Sequence, residues 1–286
     1  MAIQRRYNLR TNDGAELFVS DAGAADPVAT IVLLHGLSLT SEVWDQVSDK
    51  LTASSTRLRV ISYDSRGHGG SSGGEPSLET LADDLAFVVG RLVPTGPLVL
   101  AGHSLGGMTM LALAQRHPDL VARRVTGAVF VATTPGLGKT LERIPGARGA
   151  TRFVQMAVRH AAVPQRPAPL VRQFARGAFG AHPSRRQLAS TIAQSSQAHM
   201  PAIASLIGSI ADHDRIKVAA TYRHAKVVVL AGGRDRFFAP SHSRTLAAGV
   251  AGRLVEYPSS GHMLPTEQAD NVALQIAAVA LEAVAV

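Results

Sequence analysis

Ala101-Gly102-His103-Ser104-Leu105-Gly106-Gly107 is the stretch that decides the fold. The short apolar run Pro97–Ala101 leads into it, and the alanine-rich run Met108–His117 leads out. The first suits a strand buried on both faces and the second a helix. Between them, Gly102-x-Ser104-x-Gly106 places one serine at the apex of a sharp strand-to-helix turn. A Cβ at the glycine positions would collide with neighbouring backbone. The turn projects the serine Oγ away from the chain and sets the Leu105 amide in the first turn of a helix. The partial positive charge of that helix end suits a developing oxyanion.

Outward from this turn the chain alternates. Upstream, Ile3–Arg10 and Ala15–Asp21 form a strand pair around Asn12-Asp13-Gly14, a strong hairpin signal. Thr30–Leu34 and Leu58–Tyr63 are further apolar strands. Thr40 or Ser41 caps a helix containing Glu42, Val43, Trp44 and Val47, and Ser77 caps another that runs to Arg91. Downstream come strands at Val125–Val131, Lys226–Ala231 and Leu254–Tyr257, with helices at Pro240–Gly249 and Thr266–Ala283. Strands and helices of these lengths in alternation imply an α/β fold with a mostly parallel, doubly wound sheet.

From 135 to 214 the alternation stops. Prolines divide this insertion into helical segments at Arg148–Ala161, Leu170–Phe179 and Ser184–Ile210, the last broken near Pro201. The expected organisation is therefore a core of residues 1–134 and 215–286 with a helical cap at 135–214.

A serine nucleophile needs a base, and the base needs an orienting acid. Asp235 follows a buried strand in Gly232-Gly233-Arg234-Asp235, and His262 follows the next strand in Ser259-Ser260-Gly261-His262. Both fall at carboxyl ends of strands, where open parallel sheets collect catalytic groups. The second oxyanion donor is expected from the loop after Thr30–Leu34. Leu37 is the choice, because Gly36 lets the backbone turn that amide inward. Of the remaining histidines, His35 and His103 read as backbone-shaping and His68 as a loop stabiliser. His160, His182, His199, His213 and His224 read as ordinary polar positions.

With these residues in place, the chain resembles the α/β-hydrolase fold family, in its esterase, lipase and cofactor-free haloperoxidase branch. The matching features are His35-Gly36, Asp64-x-Arg66-Gly67-His68-Gly69, Gly102-His103-Ser104-Leu105-Gly106-Gly107, Gly233-x-Asp235 and Gly261-His262. The ending Gly261-His262-Met263-Leu264-Pro265-x-Glu267 resembles the monoacylglycerol lipases and small esterases. The resemblance implies a Ser104-His262-Asp235 triad, an oxyanion hole at Leu37 and Leu105, and hydrolysis of a small-molecule carboxylic ester with a lipid-like or medium-chain acyl group. It sets Gly36, Met108, Phe153 and Met263 beside the substrate. Carbon–carbon bond hydrolysis, perhydrolysis and a non-catalytic ligand-binding role are the competing outcomes for the same residues.

Composition narrows the classes further. The 286 residues contain no cysteine, which excludes disulfides, thiolate metal sites and a thiol nucleophile. No histidine pair with a carboxylate has metal-ligand spacing, so neither a metal nor a cofactor is expected. Met1–Arg10 carries charge without an apolar signal core, and a cytoplasmic location is expected. The net charge of +8 is concentrated in the insertion, at Arg143, Arg148, Arg152, Arg159, Arg166, Arg172, Arg176, Arg185 and Arg186. Solvated helix faces account for this; contact with an anionic lipid surface is the functional reading. Nucleic acid is not an expected partner, because stacking aromatics are not interleaved. Phe153, Val154, Met156, Val158, Phe174 and Phe179 are candidates to line an acyl pocket or to pack the insertion on the core.

Overall fold

The computed structural model describes residues 2–53, 57–137, 145–160 and 169–284. Of the residues singled out above, Arg143, Arg166 and the side chain of Phe174 lie outside it. An eight-stranded sheet forms the centre, in the order β1-β2-β4-β3-β5-β6-β7-β8. The strands are β1 Ala2–Arg10, β2 Glu16–Ala24, β3 Ala29–Leu34, β4 Leu58–Tyr63, β5 Leu98–His103, β6 Val125–Val131, β7 Lys226–Gly232 and β8 Arg253–Tyr257. β1 and β2 pair antiparallel and β2 is antiparallel to β4, whereas every pairing from β4 through β8 is parallel.

β3 and β5 are buried along their whole length, as uninterrupted apolar runs require when helices cover both faces. On one face lie α2 (Leu78–Leu92) and α3 (Leu105–Arg116), whose Leu81, Leu85, Met110 and Leu111 pack with Val32, Leu100 and Phe130. On the other lie α1 (Asp45–Thr52) and, at the far end of the chain, a helix at Ala269–Glu282, whose Val272 and Ile276 pack with Ile31, Val99 and Val129. Even and odd residues of one strand thus feed two separate cores.

The sequence places most of these elements within two residues. Ser77 caps α2 in a box with Thr80. The helix expected behind Thr40 is different. A single tight turn at Ser41–Trp44 precedes α1, and the Thr40 side chain makes no capping bond. The orphan Ser41 amide donates instead to Asp64 Oδ1 at 2.7 Å, so a carboxylate from the β4 loop does the capping. A short α4 (Pro118–Arg124) follows α3.

Among the described residues, four helices occupy the insertion: α5 Ala147–Arg159, α6 Pro169–Gly177, α7 Arg185–Ser195 and α8 Met200–Ala211. The break expected near Pro201 falls just before it, and Pro201 stands in the first turn of α8, where its missing N–H costs nothing. The two stems of the insertion are fastened together: Arg215 N donates to Pro135 O at 2.7 Å and Leu137 N to His213 O at 2.7 Å. The insertion is bonded to the loops at the carboxyl edge of the sheet. Thr40 N donates to Gln194 Oε1 at 3.3 Å, His199 N to Gly67 O at 2.8 Å, and His262 N to Ala178 O at 2.7 Å. The chain closes with α9 (Pro240–Val250), a one-turn α10 (Leu264–Glu267) and α11, the Ala269–Glu282 helix. Among the described residues no helix is long and apolar enough to cross a membrane.

Candidate active site

The sheet reverses direction of growth at β3: the chain passes from β3 to β4 on one side, then returns to β5 on the other. Ligands of open α/β sheets collect beyond the strand ends at such a switch. Ser104 stands there, immediately after β5, with φ 53° and ψ −114°. A non-glycine residue held in that region stores about 1–3 kcal/mol of strain. The surroundings enforce it. Ser104 N donates to Val131 O at 2.9 Å, and Ser104 O accepts from Gly107 N at 3.0 Å and from Thr133 Oγ1 at 2.7 Å. The elbow glycines supply space. A Cβ on Gly102 would lie 2.5 Å from the Gly106 carbonyl carbon, and one on Gly106 would run into the Leu34 carbonyl.

His262 Nδ1 donates to Asp235 Oδ2 at 2.8 Å, with both side chains buried. This bond fixes the tautomer, leaving Nε2 free to accept a proton. The second Asp235 oxygen accepts from the amides of Phe237 at 2.8 Å and Phe238 at 3.0 Å, so the carboxylate cannot rotate without losing a bond. The rings of Phe237 and Phe238 flank the imidazole at 5.0 and 5.4 Å. His103, next to the serine, donates from Nε2 to the His262 carbonyl at 2.9 Å. Its Nδ1 is buried without a partner and a Gly36 Cβ would approach it to 2.9 Å. Burial, then the neighbouring His262, hold the His103 pKa well below the usual histidine value, so it is a neutral strut between the two loops.

Sequence reasoning missed a further carboxylate in this cluster. Glu267 accepts from the amides of Gly261 at 3.0 Å and Met263 at 3.1 Å, which bracket His262, and from Gly180 of the insertion at 2.8 Å. Burial raises its pKa while the three amides oppose that shift. The signal available was an acid in the first turn of a short helix, just after Gly261-His262-Met263. Nothing in the sequence announces the third amide, eighty-odd positions upstream.

The loop after β3 is held by two buried histidines. His35 Nε2 accepts from Ser65 N at 2.8 Å while its Nδ1 donates to Gly36 O at 2.8 Å. His68 Nε2 accepts from Ser38 N at 3.1 Å and its Nδ1 donates to Arg66 O at 3.0 Å. Asp64 takes the Ser41 and Gly70 amides at 2.7 and 2.9 Å. These bonds lock the turn at Ser38, whose φ is 58°. Ser38 N and Leu39 N are spent within the protein, whereas among the described residues Leu37 N has no protein acceptor. Burial lowers both histidines, His68 to about 3. His68 therefore sits in a structural network, as a loop stabiliser would.

The residues set beside the substrate fare unequally. Gly36 touches the His103 ring space, Met108 lies one turn beyond Ser104 with 1% exposure, and Met263 is buried next to His262. Phe153 is different: it is 73% exposed on α5. Met156 shares that exposure, while Phe179 is buried in the core, its backbone against Gly261. His213 is no ordinary polar position. It is buried at the stem of the insertion, donates from Nε2 to Thr134 O at 3.1 Å and accepts from Arg215 at 2.7 Å, and burial pushes its pKa down to about 4.

The model of the Alpha/beta hydrolase family matches residues 31–275, from β3 into α11, and so takes in the elbow, both loops and the insertion. The chain belongs to the α/β-hydrolase family. Over 107 residues it is 39% identical to a pimeloyl-[acyl-carrier protein] methyl ester esterase from Aromatoleum aromaticum, covering 37% of each chain. Over 138 residues it is 35% identical to a bifunctional esterase/perhydrolase from Acinetobacter calcoaceticus, covering 47% of each. The match thus spans less than half the length of these relatives. In structure it is similar to a thermophilic esterase from Thermogutta terrifontis, with a TM-score of 0.77 and 23% identity over 99% of both chains. That likeness is one of fold. Among its features, this α/β hydrolase keeps strand-end loops for Ser104, Asp235 and His262 and hangs its helical insertion between β6 and β7.

Proposed function

We propose that this α/β hydrolase cleaves carboxylic esters through a serine acyl-enzyme, with residues 135–214 acting as a cap over the core. The observation that carries this reading is the Asp235–His262 bond beside the strained Ser104 at the sheet's switch point. His262 Nε2 takes the proton of Ser104 Oγ as the oxygen attacks the ester carbonyl. The amides of Leu37 and Leu105 receive the oxyanion: among the described residues the first has no protein acceptor, and the second stands at a helix start. His262 then protonates the leaving alcohol, and a water activated by the same nitrogen releases the acid. Asp235 keeps the tautomer and stabilises the imidazolium. The phenyl rings of Phe237, 42% exposed, and Phe238 give His262 an apolar flank suited to a lipid-like or medium-chain acyl group. Hydrogen peroxide in place of water at the second step would release a peroxyacid, and the relative from Acinetobacter is named for both activities.

The test uses p-nitrophenyl esters of graded chain length together with a fluorophosphonate probe. Turnover, and labelling at Ser104 that disappears in Ser104→Ala, is the expected result. No turnover and no labelling overturns the hydrolase reading. Turnover unchanged in Ser104→Ala overturns the site.

A further inference from the structure

A cavity of about 400 Å³ lies at the seam between the insertion and the core, outside the machinery described above. Gln173 and Arg176 near the end of α6, Gly180 and His182 in the loop beyond, and Arg234 and Arg236 around Asp235 form its walls. Three arginines thus border one concavity, and among the described residues no Asp or Glu lines it.

Several arginines elsewhere in this protein are paired. Arg59 meets Asp21, Arg66 meets Asp13 and Asp84, Arg116 meets Asp83, and Arg159 meets Glu75. Among the described residues Arg176, Arg234 and Arg236 have no ion-pair partner. The two acids nearest in the chain and in the hydrogen-bond network are already spent. Asp235 turns inward, with one oxygen on His262 and the other on two amides. Glu267 is occupied by the amides of Gly180, Gly261 and Met263. Like charges gathered in a cleft repel one another and focus a positive field, and each guanidinium offers a planar fork matched to an oxyanion.

We propose that this cavity binds an anionic group, a carboxylate or a phosphate, carried on the substrate or arriving as a free ligand. Its position links it to the chemistry. Arg234 and Arg236 are the chain neighbours of Asp235, and the amide of Gly180 shares Glu267 with the two amides that bracket His262. An anion held there meets the Asp235 loop directly and is linked to the His262 loop through Gly180 and Glu267.

Two arms test this, and only the second rests on the esterase reading. In the first, inorganic phosphate and succinate are titrated calorimetrically into the Ser104→Ala protein at low salt. One-to-one binding is expected. It should weaken at least about tenfold in an added Arg176→Gln/Arg236→Gln pair, because charge-assisted forks are lost. An Arg185→Gln/Arg186→Gln pair, which does not line the cavity, should leave it unchanged. Absent binding, or binding equally sensitive to both pairs, overturns the proposal. In the second arm, p-nitrophenyl butyrate is compared with the mono-p-nitrophenyl ester of glutaric acid in the otherwise native enzyme. A higher kcat/KM for the anionic ester, lost in Arg176→Gln/Arg236→Gln while the neutral ester stays within about threefold, assigns the site to a substrate-borne carboxylate. Equal use of both esters with one-to-one binding retained in the first arm assigns it to a free anion.

Discussion

The α3 helix and the α5 helix are of similar length and opposite construction. From Leu105 to Ala114 every residue of α3 is buried, and the serine before it is held by four hydrogen bonds to its own backbone. In α5 no residue is buried, Phe153 and Met156 stand in the open, and Arg159 reaches out to Glu75 at the surface. The contrast teaches where each kind of work is done. Positions that must be accurate to a fraction of an ångström are placed on elements with no freedom to move. The insertion rests on that platform through backbone bonds such as His199 N to Gly67 O and side-chain bonds such as Gly180 N to Glu267.

The strongest way to break the comparison is at the serine. Ser104→Ala should lower kcat/KM for p-nitrophenyl butyrate by roughly 10⁴-fold or more, since the nucleophile acts as a unit with its base. Its thermal unfolding should shift little, because the strain at this position belongs to the backbone. A residual rate above one-hundredth of the native value would separate the rigid platform from the chemistry.

Next is the junction between the two regions. Glu267→Ala should reduce kcat on the order of 100-fold, by letting the His262 loop drift from its attack geometry. Glu267→Gln, which keeps one acceptor oxygen, should recover part of that. KM should move less than kcat in both, and a loss confined to KM would make Glu267 a cap tether only.

A smaller effect concerns the buried histidines of the platform. His68 is neutral in the fold, with a pKa near 3 set by burial, and returns to its ordinary value near 6.5 on unfolding. Below that ordinary value the unfolded chain binds the extra proton, so stability present above about pH 6.5 is lost as the pH falls toward 3. The contribution is up to about 1.4 kcal/mol per pH unit across this window. Chemical denaturation at a series of pH values should show the slope, and His68→Gln should flatten it while keeping both loop bonds. His35, His103 and His213 are lowered by burial as well and add to the native slope. An unchanged slope in His68→Gln would remove His68 from this account.

The smallest effect belongs to α5. Phe153→Ala should change stability by no more than about 0.5 kcal/mol and esterase turnover by less than about twofold, as for other exposed positions. A tenfold change in KM would put Phe153 back beside the substrate.

Much of this molecule was legible because local physics wrote it into the chain. Short unbroken apolar runs marked the buried strands, Ser77 marked the start of α2, and the elbow glycines marked a turn too tight for a Cβ. Ser104, Asp235 and His262 each stand in the loop that follows a strand, so their shared edge followed from the parallel order. The insertion was legible only as a break in that order.

Other features depend on residues that meet only when the sheet assembles. The cap of the first helix after β3 comes from Asp64, not from Thr40. Glu267 gathers amides from the His262 loop and the insertion, and His213 disappears into the stem. Phe153, apolar in a basic helix, stands exposed. Sequence alone determined what each strand and turn had to be, since backbone sterics and apolar periodicity act over a few residues. Which distant carboxylates, amides and imidazoles satisfy one another was decided only by the tertiary structure, because a buried hydrogen bond requires proximity in space and leaves no spacing rule in the chain.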